Sequence, residues 1–167
     1  DRWGEPVDPA KLEDALARHP DAKVVAFVHA ETSTGVASDA RTLVEIAHRH
    51  DCLAIVDAVT SLAGIPLLVD EWEIDAIYSG TQKCLSCTPG LSPVSFSERA
   101  LHKVKHRSHP VQSWFLDLNL VLGYWGGGAK RAYHHTAPVN ALYGLHEALR
   151  LVEEEGLEAS WERHRAL

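Results

Sequence analysis

Through the first half of the chain, short apolar runs alternate with amphipathic stripes. Asp8-Pro9 predicts a helix start, because Asp8 can cap it and proline tolerates the first helical position, where an amide hydrogen would go unused. Leu12, Ala15 and Leu16 supply its apolar stripe. Lys23 to Val28 is a β-branched apolar run of the kind buried on both faces of a sheet. Ser38-Asp39 caps a second helix, with Leu43, Ile46 and Ala47 facing inward and His48-Arg49-His50 suited to the negative end of its dipole. Cys52 to Val56 reads as a second strand. Ile74 to Tyr78 reads as a third, reached through a short connection holding Pro66 and Val69. The stretch from Pro89 to Ser97 has room for a further strand or two, and Ser97 opens another helix. Strands separated by helices predict parallel pairing, so the fold class is α/β with a parallel-rich open sheet flanked by helices.

Beyond Pro110 the texture changes. Trp114, Phe115, Leu116, Leu118, Leu120 and Leu122 crowd a segment ending in Tyr124-Trp125, and Gly126 to Gly128 reads as a local hinge or turn. The aromatic stretch suits packing or a dimer interface better than a substrate pocket. After Pro138 a helical stripe of Leu142, Leu145, Leu149 and Val152 runs on to a break near Gly156.

Composition narrows the class. A chain of 167 residues with 46% apolar content supports one sizeable core. Its net charge of −7 speaks against nucleic acid, and the one basic cluster, His102 to Arg107, reads as a solvated helix end. No apolar window approaches the roughly 20 residues that span a bilayer, and no signal segment opens the chain. Three cysteines make no disulfide framework, which points to a reducing cytoplasm. The chain holds no methionine and begins at Asp1, so it reads as a piece of a longer protein.

Each proposed parallel strand hands over to polar residues at its carboxyl end: His29 to Gly35, then Asp57 with Thr60-Ser61, then Ser79 to Lys83. Any one cluster could simply cap a helix or make a turn. Three in succession predict a shared crevice, since open α/β sheets bind ligands outside the carboxyl ends of their strands. Asp57 and Lys83 carry the chemistry. Pyridoxal phosphate needs an amine for a Schiff base and a carboxylate to keep its ring nitrogen protonated.

The motifs from Val28 to Val36, from Val56 to Leu62, from Tyr78 to Lys83, from Ala132 to Pro138 and from Gly156 to Trp161 resemble the alanine–glyoxylate/serine–pyruvate aminotransferases. These are class V, fold-type I enzymes dependent on pyridoxal phosphate. The resemblance implies that Lys83 holds the cofactor and moves a proton, and that Asp57 bonds its ring nitrogen. Thr32 would sit near its phenolic oxygen and Gln82 would contact its phosphate. Tyr133 and Thr136 would reach the phosphate of a neighbouring subunit's cofactor, which implies a homodimer with shared sites. Substrates would be a small amino acid, alanine or serine, and glyoxylate or a similar 2-oxo acid, used in ping-pong fashion.

On this resemblance residues 1–137 form part of a cofactor-binding large domain truncated at both ends. Residues 138–167 form a helix leading towards an absent small domain, and these 167 residues alone should have little or no activity. A ureidoglycine–glyoxylate aminotransferase is an alternative within the same class. A cysteine desulfurase would carry a histidine where Gln82 stands. Cys84 and Cys87 also permit a metal or redox module, although zinc usually takes four ligands and no second close cysteine pair exists.

Overall fold

In a computed structural model, residues 1–125 and 132–167 are described. The glycine run read as a hinge lies outside them. In chain order the elements are α1 (Pro9–Arg18), β1 (Val24–Val28), β2 (Ala30–Glu31), β3 (Val36–Ala37), α2 (Ala40–Arg49), β4 (Leu53–Asp57), β5 (Ala76–Tyr78), β6 (Val94–Phe96), α3 (Glu98–Lys105), α4 (Leu118–Trp125), α5 (Val139–Glu155) and α6 (Leu157–Ala166).

Local sequence accounts for the helix starts. The Asp8 carboxylate accepts from the Ala10 amide at 2.9 Å, Asp39 from the Thr42 amide at 3.1 Å, and Ser97 Oγ from the Ala100 amide at 3.1 Å. Each satisfies an amide that a helix leaves unpaired in its first turn. Gly156, at φ 85°, separates α5 from α6 in a backbone conformation that side chains resist.

One sheet has the order β1-β4-β5-β6, with β1, β4 and β5 parallel and β6 antiparallel; β2 and β3 form a small hairpin. Helices α1 and α2 cover one face. Leu16, Val44, Ile46 and Ala47 pack there against Val25, Ala54, Val56 and Ile77. The opposite face carries Val24, Val28, Tyr78, Val94 and Phe96, all exposed. Burial on both faces, expected for Lys23 to Val28, is therefore not met: β1 turns Val25 and Phe27 towards the helices and leaves Val24, Ala26 and Val28 exposed on the uncovered face.

At the amino end of β5, Asp75 is 1% exposed and ties the sheet to two helices. It accepts from the Ala54 amide at 2.9 Å, His48 Nε2 at 2.8 Å, Ser97 Oγ at 2.9 Å and Arg99 Nη1 at 2.9 Å. Burial alone would raise its pKa. These partners outweigh that effect and hold the carboxyl below the usual aspartate range. Helix α6 is anchored at the other end of the molecule, where buried Ser160 donates from Oγ to the Ala63 carbonyl at 2.8 Å.

Candidate active site

The parallel strands end level with one another. The Asp57 carbonyl accepts from the His29 amide at 2.9 Å and the Tyr78 carbonyl from the Ala58 amide at 2.9 Å, so pairing continues just past the strand ends. Side chains stitch the loops beyond. Thr60 Oγ1 donates to the Ala30 carbonyl at 2.5 Å, and Ser79 Oγ to the Ala58 carbonyl at 2.9 Å. The three polar clusters therefore meet along one edge, as the alternation of strands and helices predicts.

Asp57 stands on the open face of the sheet, because its parity matches that of Leu53 and Ile55 and not that of buried Val56. Its Oδ1 accepts from the Val59 amide at 2.9 Å and its Oδ2 from the Tyr78 hydroxyl at 2.7 Å. Asp57 and Tyr78 are direct partners in the β4–β5 register. The carboxylate is thus held through both oxygens while each keeps lone-pair capacity for a further donor.

Lys83 follows in a loop rooted by Thr81, which is fully buried. Thr81 Oγ1 donates to the Thr88 carbonyl at 2.6 Å, the Thr81 amide to the Leu91 carbonyl at 3.3 Å, and the Cys87 amide to the Thr81 carbonyl at 3.0 Å. A further tie runs from Cys84 Sγ to the Thr60 carbonyl at 3.4 Å, linking the loop of Lys83 to that of Asp57. Lys83 itself is exposed. Gln82 is also exposed, and its side chain folds over Gly80, where an added Cβ would lie 2.7 Å from Gln82 Oε1.

Thr32 is exposed in the β2–β3 turn, which closes with the Gly35 amide donating to the Glu31 carbonyl at 2.8 Å and Gly35 at φ 70°. Ser33, through its amide and hydroxyl, occupies the Glu31 carboxylate and lowers its pKa. Tyr133 and Thr136 hydrogen-bond each other through their hydroxyls and are exposed. Between them His134 is 2% exposed, stacks on Trp114 with ring centroids 4.2 Å apart, and bonds the Trp114 carbonyl through Nε2 at 3.0 Å. That packing fixes the loop presenting Tyr133 and Thr136.

The two thiols after Lys83 diverge. Cys84 faces Gly64, whose added Cβ would lie 2.5 Å from its Sγ, whereas Cys87 faces Gly144 on α5. Burial pushes the Cys84 thiol up, against smaller opposing effects of its own amide, Arg163 and Lys83. A thiol so placed is a packing group and a poor nucleophile. Among the described residues, no three His, Cys, Asp or Glu side chains converge as a metal ligand set.

A family model for class-V aminotransferases matches residues 4–167. The chain belongs to that family. Among curated class-V relatives, the alanine–glyoxylate aminotransferase of Oryctolagus cuniculus is 42% identical over 156 residues, 93% of this chain and 40% of that protein. Among solved structures, the alanine–glyoxylate aminotransferase of Nostoc sp. superposes with a TM-score of 0.92 at 45% identity, covering 98% of this chain and 43% of that one. The ureidoglycine–glyoxylate aminotransferase of Bacillus subtilis gives 0.92 at 41% identity, covering 99% and 42%. The chain thus spans about two-fifths of the length of these aminotransferases.

Pyridoxal phosphate fits the donor set of this class-V site. A carboxylate with spare lone pairs suits a protonated ring nitrogen, a lysine suits an aldehyde, and hydroxyls with an amide suit a phosphate. Tyr78 was not singled out by sequence reading as a site residue. The signal that could have found it is its position opposite Asp57, if the two strands pair in the register that levels their ends.

Proposed function

We propose that the protein carrying this chain is a pyridoxal-phosphate-dependent aminotransferase that moves an amino group from alanine or serine to glyoxylate or a similar 2-oxo acid. The observation that carries this reading is Asp57, held through both carboxylate oxygens on the open sheet face, one loop from an exposed Lys83. Glyoxylate is common to the names of the relatives from Oryctolagus cuniculus, Nostoc and Bacillus subtilis, whereas the amino donor differs. Ureidoglycine as donor is accordingly the second reading.

When bound, pyridoxal phosphate supplies an aldehyde that takes up amines and a ring that accepts electrons from the substrate α-carbon. Lys83 Nζ is the anchoring amine and, once free, the base that moves the α-proton. Asp57 keeps a proton on the ring nitrogen. Thr32 would hold the phenolic oxygen and Gln82 the phosphate. Tyr133 and Thr136 would hold the phosphate of a neighbouring subunit's cofactor, and the working unit would then be a homodimer. The exposed Trp114, Phe115, Leu116 and Trp125 support an interface, since large apolar side chains left in water often mark a protein–protein contact.

Residues 1–137 serve as part of the cofactor-binding domain, and residues 138–167 lead towards a second, smaller one. Among the described residues no helix is long and apolar enough to cross a membrane. The three free cysteines support a reducing, cytoplasmic setting.

The test is a donor panel of alanine, serine and ureidoglycine with glyoxylate, using the full-length protein. Parallel double-reciprocal lines with alanine or serine are expected. A strong preference for ureidoglycine would replace the donor, and no transfer to glyoxylate from any of the three would overturn the reaction. Residues 1–167 expressed alone should turn over little or nothing, and efficient turnover would refute that expectation.

A further inference from the structure

We propose that Tyr78 is a positioning residue that orients Asp57 towards the cofactor ring; this rests on the pyridoxal phosphate reading above. The Tyr78 hydroxyl reaches Asp57 Oδ2 at 2.7 Å, while the Val59 amide takes Oδ1 at 2.9 Å. With the amide alone, the carboxylate could turn about its Cβ–Cγ bond and carry Oδ2 out of line. The two donors, one in the loop after β4 and one at the end of β5, together fix its plane. Since Asp57 and Tyr78 are register partners on adjacent parallel strands, the sheet itself sets the reach of the hydroxyl.

Tyr78 is suited to this. Tyr78 is 41% exposed on the open face, so it contributes little to the core. Its pKa is raised, chiefly because its hydroxyl donates to Asp57 and further by burial and by the Asp57 charge. It therefore remains a donor throughout the neutral and mildly alkaline range. A hydrogen bond to a charged group is both shorter and stronger than one between neutral partners. The remaining lone pair of Oδ2 is then presented in one direction, ready for the ring N–H.

The experiment is a double-mutant cycle on cofactor affinity in the full-length protein, using Tyr78→Phe, Asp57→Asn and the pair, with pyridoxal phosphate binding followed by fluorescence quenching. Tyr78→Phe keeps the ring and removes only the donor. It should raise the Kd on the order of tenfold without shifting the melting temperature of the cofactor-free protein. In the Asp57→Asn background the same substitution should change the Kd by less than about twofold. An unchanged Kd in Tyr78→Phe, or an equal loss in both backgrounds, would overturn the positioning role while leaving the proposed function standing. Failure of the unsubstituted protein to bind pyridoxal phosphate would overturn both.

Discussion

Replacing Asp75 removes the one carboxylate on which β4, α2 and α3 converge. Four donors lie within 2.9 Å of its oxygens: the Ala54 amide, His48 Nε2, Ser97 Oγ and Arg99 Nη1. A hydrogen bond to a charged group contributes about 1.5–3 kcal/mol, so an unrelaxed sum reaches roughly 6–12 kcal/mol. Relaxation cuts this down. The Arg99 and His48 side chains are 35% and 24% exposed and can turn to water, whereas the Ala54 amide lies within the sheet. We therefore expect Asp75→Ala to cost about 3–5 kcal/mol, the range for removing one partner of a buried pair. Asp75→Asn keeps one acceptor oxygen and should cost about half as much. Glu45→Ala, which breaks only the exposed Arg41–Glu45 pair, should cost no more than about 0.5 kcal/mol.

The assay is urea unfolding of the full-length protein, read as the midpoint at constant slope. An Asp75→Ala protein within about 1 kcal/mol of the parent would refute the keystone role. The pH dependence follows from the lowered folded pKa of Asp75. Its contribution is fully present above the unfolded value, near ~3.9, and is lost as pH falls through the folded value. The acid-induced loss of stability should thus shrink in Asp75→Asn below about pH 4.

Three further substitutions probe the packing beside the site. Gly64→Ala would place a Cβ 2.5 Å from Cys84 Sγ and should lower stability by about 1–3 kcal/mol; Cys84→Ala should restore most of it, as a melting series can show. His29 is buried, and desolvation lowers its pKa despite the opposing charge of Asp39. Its stabilising contribution is therefore present above the unfolded value of ~6.5 and declines as pH falls below it. His29→Gln should flatten the stability profile below about pH 6.5.

Helix starts were legible because capping is local: Asp8, Asp39 and Ser97 each act within three residues of their own position. Strand limits were legible to within a residue or two. The run Cys52 to Val56 becomes Leu53–Asp57 because the Asp57 backbone still pairs with Val28 and Tyr78 although its side chain is polar. The run Ile74 to Tyr78 contracts to Ala76–Tyr78, with Asp75 tied instead to helix residues. The short β2–β3 hairpin escaped notice, since it carries no strong apolar period, and the helix read over 138–167 divides at Gly156 into α5 and α6. Long-range pairings were the least legible. Nothing in the local pattern joins Asp75 to Arg99 or Asp57 to Tyr78, because those contacts depend on strand register and helix placement. The exposure of alternate β1 residues has the same origin, as an apolar run does not say whether a second layer will cover each face of the sheet.

The central claim is that Lys83 is the residue to which the cofactor attaches. The direct measurement is borohydride reduction of the full-length protein with pyridoxal phosphate, followed by mass spectrometry of the digested peptides. A reduced phosphopyridoxyl adduct should appear on Lys83, and its yield should fall to background in Lys83→Ala. An adduct formed in equal yield on another lysine, or undiminished in Lys83→Ala, would contradict the account.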